Sequence, residues 1–477
     1  MRWRWALVVA LLLPAASLAL WAGLRRSEAH VVLISIDTLR RDHLPTYGYA
    51  RPTAPRIDRL AHEGVVFDQD VATHTNTAPS HASMLTGLYP PSHGILQNGD
   101  LLRAEVPTLP ELLKAGGFRT GGFVSGWTLK GDFTGLNRGF DRYHDRFPLL
   151  SETGGQPRRA YIRHADETFE RAHRWLTAEA ARPGPLFVFY HLFDPHYPYD
   201  PPDDYLRRFL PAGQTGLRFP RELGPERTRL RAGGRPEPGE IEEYIARYDG
   251  EIAFADEYVG RLLDDLQSLG LYDRSIIIVT ADHGETLDER PFVFSHGDRD
   301  YEEQVRVPLI VRFPGGRYGG QRLAAPVQHV DILPTVLDYL KIPAPEGLQG
   351  RSLMPMITGR AAPAPRPAFS LARGEPDWAR DLDAPIVQNG LVACIRLPPL
   401  KLVQYPTASG HFFELFDLSK DPGEKHNLAT ERPELTQRLH AEIERWLQAT
   451  RRGGTRQTES GLSPEAEEAL RALGYLH

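Results

Sequence analysis

Three short runs in this chain are almost unbroken in apolar and β-branched residues, and each ends on a side chain that can hold or move charge. Val31-Val32-Leu33-Ile34-Ser35-Ile36 runs into Asp37, Leu186-Phe187-Val188-Phe189-Tyr190 into His191 and Asp194, and Ser275-Ile276-Ile277-Ile278-Val279 into Asp282 and His283. A strand with one wet face alternates polar and apolar residues, so runs without alternation require a sheet covered on both faces. Helical patterns stand between them, from Ala165 to Ala181 and from Glu240 to Leu269. This order predicts an α/β domain, a doubly wound sheet flanked by helices, over residues 28–360. Ligands of such sheets gather at the carboxyl ends of the strands, so the polar endings predict one shared site.

After this domain, Ala361-Ala362-Pro363-Ala364-Pro365-Arg366-Pro367 reads as a linker. Strand-like runs at Leu391–Ile395, Leu400–Tyr405 and Phe412–Leu418, then a helix from Pro433 to Ala449, predict a small C-terminal α+β subdomain over residues 361–450. Residues 451–477 read as a polar, mobile tail with a short terminal helix, and Arg207 to Gly239 as a surface excursion without apolar period. Cys394, the single cysteine, excludes an intramolecular disulfide and falls at a buried strand position. At the other end, Arg2 and Arg4 precede an uncharged stretch from Ala6 to Leu24 that Arg25 and Arg26 close. A positive start before an apolar run is an export signal, and this run is near the shortest that spans a bilayer. Residues 1–27 therefore read as a signal peptide or a single N-terminal transmembrane anchor. Either places the body of the protein outside the cytoplasm, and the anchor would make the membrane a partner. A net charge of -6 with 25% charged residues offers no polyanion-binding surface, so nucleic acid is not expected as a partner.

The stretch Asn76-Thr77-Ala78-Pro79-Ser80-His81 carries a second signal. Pro79 suits the first turn of a helix, where its missing N–H costs nothing, which puts Thr77 just before the helix N-terminus. Free backbone donors and the helix dipole favour an anion there, a good position for a nucleophile attacking a tetrahedral oxyanion. A threonine before a helix is also a common cap. The stretch alone leaves both readings open.

Further motifs bear on the choice. Ser35-Ile36-Asp37-Thr38-Leu39-Arg40-Arg41-Asp42 is followed by Pro55-Arg56-Ile57-Asp58-Arg59-Leu60, then Pro79-Ser80-His81-Ala82-Ser83-Met84-Leu85-Thr86-Gly87. Asp194-Pro195-His196-Tyr197-Pro198-Tyr199, Asp282-His283-Gly284-Glu285 and Tyr301-Glu302-Glu303-Gln304-Val305-Arg306-Val307-Pro308 come next, and then Glu414-Leu415-Phe416-Asp417-Leu418, Asp421-Pro422-Gly423-Glu424 and Asn427-Leu428. In these motifs and their order the chain resembles the sulfatase family of the alkaline phosphatase superfamily. The resemblance implies an alkaline phosphatase-like mixed sheet and a hydrolase of sulfate esters, or of phosphate or phosphonate esters, on a small molecule, glycan or lipid. It also implies a divalent metal held by Asp37, Asp282 and His283, with Thr77 at the nucleophile position as a further ligand. Carboxylate oxygens and an imidazole suit Ca²⁺, Mn²⁺ or Zn²⁺.

The departures from the family pattern are informative too. Sulfatases place a cysteine or serine where Thr77 stands and oxidise it to formylglycine; threonine is no substrate for that conversion, so no formylglycine is expected. His81 replaces the arginine that follows proline-serine. Ser125-Gly126-Trp127-Thr128-Leu129 lacks the lysine and histidine of the family's Gly-Lys-Trp-His-Leu, a later lysine is replaced near His296, and Thr38 stands where many members carry a second aspartate. His81, His196 and His296 are accordingly expected to contact the ester oxygens or the leaving group, His196 or His296 as general acid. Alternatively, Asp194, His196 and His296 could hold a second ion. Lys130, close to the missing lysine, is a candidate substrate contact. Glu285 and Asp288 follow the metal pair without an assigned role, and Tyr197 to Pro202 either lines the entrance or forms a rigid aromatic loop. Sister families that attack phosphorus with threonine directly suggest a phosphodiesterase or a phosphoryl-group transferase acting through phosphothreonine. Loss of the formylglycine precursor suggests a catalytically silent, metal-stabilised binding protein.

Overall fold

β1 (His30–Ile36) is buried along its whole length, and its side chains divide between two apolar layers. Val32, Ile34 and Ile36 enter one, Val31 and Leu33 the other. The first layer is closed by α1 (Pro55–Glu63), α3 (Ala165–Ala180) and α4 (Glu240–Ser268), through side chains such as Ile57, Phe169, Ile252 and Leu263. The second is closed by α2 (Thr77–Thr86) and α5 (Ile332–Leu340), through Ala82, Leu85, Leu333 and Leu337. Each large aliphatic side chain so enclosed contributes roughly 1.5–3 kcal/mol. That is why these runs can dispense with alternation. The computed structural model describes residues 29–147, 161–219, 236–290, 294–362, 366–374, 386–387, 390–451 and 467–469. The apolar stretch from Ala6 to Leu24, part of the Arg207–Gly239 excursion, the centre of the 361–367 linker and most of the tail after residue 451 lie outside them. Among the described residues no helix is long and apolar enough to cross a membrane.

The remaining strands of the main sheet are β2 (Val65–Val71), β3 (Arg119–Phe123), β4 (Arg142–His144), β5 (Leu186–Leu192), β6 (Ser275–Thr280), β7 (Arg306–Arg312) and β8 (Gln321–Gln328). The eight strands lie in the order β4-β3-β5-β1-β6-β7-β2-β8. The predicted runs are thus neighbours, β5-β1-β6, and they are parallel. β7 runs against both β6 and β2, which makes the sheet mixed. β2 carries Asp68, Gln69 and Asp70 and breaks register between Phe67 and Asp70, so its apolar pattern is interrupted and gave no sequence signal.

A second, antiparallel sheet of β9 (Ala368–Gly374), β10 (Gly390–Leu397), β11 (Leu400–Thr407) and β12 (Gly410–Asp417) is ordered β12-β11-β10-β9. Cys394 is buried in it. One face packs on α6 (Pro433–Thr450), where the Trp446 and Phe369 rings stack with centroids 4.5 Å apart and Tyr89 of the main unit meets Trp446 edge-on at 5.0 Å. β9 also reaches the segment before α2: Leu371 donates to Thr73 O at 3.0 Å and accepts from Thr75 N–H at 3.2 Å.

A buried ion network joins the sheets. Lys401 Nζ on β11 lies 2.7 Å from Glu424 and 3.2 Å from Glu302, while Arg396 pairs with Glu302 at 3.1 Å and Arg290 with Glu424 at 3.2 Å. Removing one partner of such a network strands the opposite charge in a low dielectric. Lys401→Met should therefore destabilise the protein by about 3 kcal/mol or more, read as a lower urea midpoint. A midpoint equal to wild type would show that the network carries no stability.

Candidate active site

Because β5, β1 and β6 are adjacent and parallel, their carboxyl ends open side by side. Asp37 follows β1 directly, and its N–H donates to Leu192 O at 2.9 Å, which fixes its exit from the sheet. Thr38 turns the chain through the left-handed region, φ 52°. A β-branched residue adopts that conformation only where its surroundings hold it. Tyr248 of α4 does so: its hydroxyl donates to Thr38 O at 2.7 Å and accepts from Arg40 N–H at 2.9 Å. After β6, Asp282 Oδ1 accepts the N–H of Thr38 at 3.2 Å and of His283 at 2.9 Å. A Cβ on Gly284 would come within 2.1 Å of Glu303 O, so the close approach of these backbones requires glycine.

His283 Nδ1 lies 2.9 Å from Gly284 O. Facing a carbonyl it carries the hydrogen, which leaves Nε2 with its lone pair. Asp37, Asp282 and His283 are all buried, and one ligand atom from each lies within 4.8 Å of the others. His283 Nε2 is 3.4 Å from Asp282 Oδ2 and 4.0 Å from Asp37 Oδ1. Asp282 Oδ2, His283 Nε2 and both Asp37 oxygens have no well-formed hydrogen bond. Burial first, and the Asp282 charge second, push the Asp37 carboxyl well above its usual range. Unpaired buried carboxylates are costly, and a divalent cation removes that cost. Two carboxylates and a lone-pair imidazole are a fitting donor set for such an ion. Among the described residues no other group of three His, Cys, Asp or Glu converges in this way.

Thr77 opens α2 instead of preceding it. The cap is Asn76, Thr77 is the first helical residue, and Pro79 falls in the first turn. The reading of Thr77 as a cap is therefore corrected. The Thr77 hydroxyl is near enough to Asp37 to oppose the rise in its pKa. Ala78 N–H, in the same turn, donates to Asn98 Oδ1 at 2.9 Å. Ser80 Oγ donates to Asp282 O at 2.6 Å and bonds His329 Nδ1 at 2.9 Å, which ties α2 to the carboxylate group.

His81 does not face an ester. One helical turn after Thr77, its Nδ1 donates to Thr77 O at 2.8 Å, and its Nε2 accepts from Ser35 Oγ at 2.8 Å. Both nitrogens are occupied, and burial lowers its pKa to about 3. The expectation of an ester contact from His81 is corrected accordingly: it is a neutral ring packed between α2 and β1.

His196 and His296 stand together with ring centroids 4.9 Å apart, and His296 stacks on His283 at 4.5 Å. Both flank the carboxylate group. His196 Nδ1 donates to Tyr197 O at 2.5 Å, and burial lowers its pKa to about 3. His296 Nδ1 instead lies 3.1 Å from Glu285 Oε1. Asp194 does not join this pair. His164 Nδ1 holds its Oδ1 at 2.9 Å and Glu251 of α4 bonds the same carboxylate, so the expected second-ion group of Asp194, His196 and His296 is not assembled. Lys130 Nζ lies over Phe133 and Trp127, 5.0 and 5.9 Å from the ring centroids.

Two side chains of the site were given no role from the sequence: His191, named only as the end of an apolar run, and Asn98, not named at all. His191 Nδ1 accepts Ser125 N–H at 3.3 Å, so its hydrogen sits on Nε2, 3.4 Å from Asp37 Oδ2. Its signal was available, since it closes the β5 run. Asn98 had none, because Gln97-Asn98-Gly99 reads as an ordinary turn.

Residues 29–342 match the sulfatase family, and residues 298–452 match the family described as N-sulphoglucosamine sulphohydrolase, C-terminal. An ulvan-active sulfatase of Formosa agariphila is 27% identical over 72% of this chain and 68% of its own. The multifunctional alkaline phosphatase superfamily protein PehA of Trinickia caryophylli is 26% identical over 84% of this chain and 91% of its own. The phosphonate monoester hydrolase structure of Agrobacterium radiobacter superposes with a TM-score of 0.68 at 23% identity, covering 92% of this chain and 99% of that chain. That last likeness is one of fold.

Asp37→Asn tests the cation site through stability. Stripped of metal, the variant should unfold at or above the temperature of stripped wild type, because it buries one charge fewer. Only wild type should then gain on adding Mn²⁺ or Ca²⁺, by about 2.7 kcal/mol at a hundredfold excess over Kd. Thermal unfolding with and without chelator reads both; an equal gain in the two proteins would remove Asp37 from the site.

Proposed function

The chain belongs to the sulfatase family and is a hydrolase acting on ester bonds, and from that premise we propose that it is a metal-dependent enzyme whose nucleophile is Thr77 and whose preferred ester is one of phosphorus. The observation that carries this reading is the placement of Thr77. It is the first residue of α2, with its hydroxyl at the Asp37 carboxylate. Asp37, Asp282 and His283 would hold the divalent ion, with Thr77 beside them. Bound there, the ion would polarise the ester and lower the pKa of the Thr77 hydroxyl.

The residues then divide the work. Thr77 Oγ1, as the alkoxide left when its proton passes to solvent, forms a bond to the central atom while the bond to the leaving oxygen breaks. The leaving oxygen takes a proton from His296 Nε2. Water next attacks the same central atom, returns a proton to His296 and releases Thr77. His196 suits the acid role less well, because its Nδ1–H is committed to Tyr197 O and burial keeps the ring neutral. His296 has a carboxylate behind it, and its ring can hold a hydrogen on both nitrogens.

Threonine chemistry favours phosphorus over sulfur. An aldehyde hydrate can expel its bound sulfate by collapsing to the aldehyde, breaking a carbon–oxygen bond. A threonine ester has no such route and must be cleared by a second attack at the central atom, which metal-assisted phosphorus permits more readily. The relatives include both a sulfatase and a multifunctional alkaline phosphatase superfamily protein, so a move between esters lies within the range of their names.

The expected outcome is faster turnover of an aryl phosphate diester or aryl phosphonate than of the corresponding aryl sulfate by the Mn²⁺-loaded protein. Thr77→Ala should lower that turnover by about 10³-fold or more, whereas Thr77→Ser should retain it in part. Acid-quenched wild type should carry a phosphorus-containing adduct on the peptide with Thr77, seen by mass spectrometry. Wild-type rates in Thr77→Ala, or a preference for aryl sulfate, would end this reading.

A further inference from the structure

Glu285 completes the Asp282-His283-Gly284-Glu285 motif and is wholly buried, yet it is not in the group of three that could hold a cation. Its carboxylate faces two donors. Tyr199 OH donates to Oε2, and His296 Nδ1 donates to Oε1 at 3.1 Å. The Glu285 carbonyl is fixed as well, by Arg40 Nη1 at 3.1 Å. Tyr199 is itself locked in an aromatic cluster, with Tyr248 at 5.5 Å and Phe294 at 5.7 Å between ring centroids. This cluster touches the opposite side of the site, because Tyr248 is the residue that holds Thr38 in its left-handed turn. A side chain that is buried and bonded on both oxygens has one available position. It imposes that position on whatever it grips.

What it grips is His296. With Nδ1 directed at Glu285 and the ring stacked on His283, the His296 imidazole is fixed in both rotation and tautomer, and Nε2 lies on the edge away from Glu285. Carboxylate-to-imidazole contacts of this kind orient histidines in many sites. From this geometry we infer that Glu285, braced by Tyr199, is a positioning residue that holds His296 Nε2 toward the leaving group. The inference rests on the reading of His296 as leaving-group acid and gives the Tyr197–Pro202 tract its purpose: Tyr199 extends the brace from the loop after β5 to the loop after β6. Glu285 itself touches no reacting atom.

A residue that acts only through the leaving-group acid has a distinctive signature. An ester with a good leaving group departs without help, whereas a poor one needs the proton. We compare phenyl with para-nitrophenyl methylphosphonate, using Mn²⁺-loaded protein in the first turnover, where release of the phenol reads the attack of Thr77 before the water step that also uses His296. His296→Ala sets the reference and should lower the first-turnover rate of phenol release from the phenyl ester by about 10²-fold while changing that of the para-nitrophenyl ester little. Glu285→Met, similar in size but without an acceptor, should reproduce that split with the half-saturating ester concentration of the first turnover and the metal content unchanged. Glu285→Gln, which keeps an oxygen for Nδ1–H, should restore most of the phenyl ester rate. Tyr199→Phe leaves the carboxylate in place and should give a weaker split in the same direction, roughly tenfold, which keeps the test open if Glu285→Met fails to fold. Equal losses on both esters in Glu285→Met and Tyr199→Phe, or loss of bound Mn²⁺ from them, would overturn the inference and leave these residues a structural role. If His296→Ala itself treats the two esters alike, the acid assignment fails and the inference falls with it. If His296→Ala splits the esters and Glu285→Met does not, only the positioning role is lost.

Discussion

Two carboxylates that no water reaches, at the ends of adjacent parallel strands, set the terms for the rest of this structure. Asp37 and Asp282 repel each other and lack enough donors of their own. Left to itself, such a pair would pull the loops apart or take up a proton. The chain resists by fixing the backbone on either side of each. Thr38 is clamped by Tyr248, Asp282 Oδ1 is held by two N–H groups, and α2 is tied to the Asp282 carbonyl through Ser80. The large two-sided core makes this possible, because the strands bearing the carboxylates are the ones packed on both faces. Stability in the sheet's interior offsets electrostatic cost at its edge.

The same constraint explains why histidine is so frequent here. His81, His191 and His196 are all held neutral by burial, with pKa values lowered to about 3, 4 and 3. Neutral imidazoles provide donors and lone pairs without adding to the charge that a bound cation must balance. One of them, His81, stands where the sulfatase pattern carries an arginine. The result is a site that fixes hydrogen-bond directions more than it concentrates positive charge. That suits the proposed reaction, in which a threonine oxygen must be placed accurately and then released.

How much of this could be read from the chain depended on local physics. β1, β5 and β6 were legible because burial on both faces removes polar residues from the run, and Asp37, Asp282 and His283 were legible as the residues that end such runs. The antiparallel β7 and the irregular β2 were not, since strand direction is settled by neighbours and a register break erases the period. His81 lay in the right motif, but its role depended on where one helical turn would carry the ring. Asp194 looked like a ligand beside His196, but its partners, His164 and Glu251, come from distant parts of the sequence. Thr77 was located correctly to within a residue; only the structure distinguishes the first helical position from the cap.

β9 has a consequence for how the protein comes into being. Leu371 is bonded to the segment just ahead of Thr77, and Arg373 N–H donates to Gly297 O, the residue after His296, at 2.9 Å. One strand thus stitches together the loop bearing the proposed nucleophile and the loop bearing the proposed acid. A ribosome makes Asp37 and Thr77 early and β9 some three hundred residues later, as the sequence shows. Until that strand has been synthesised and has docked, the two loops lack these backbone bonds. Completion of the site is thereby made a late event in the birth of the chain, after most of the main sheet has already been built.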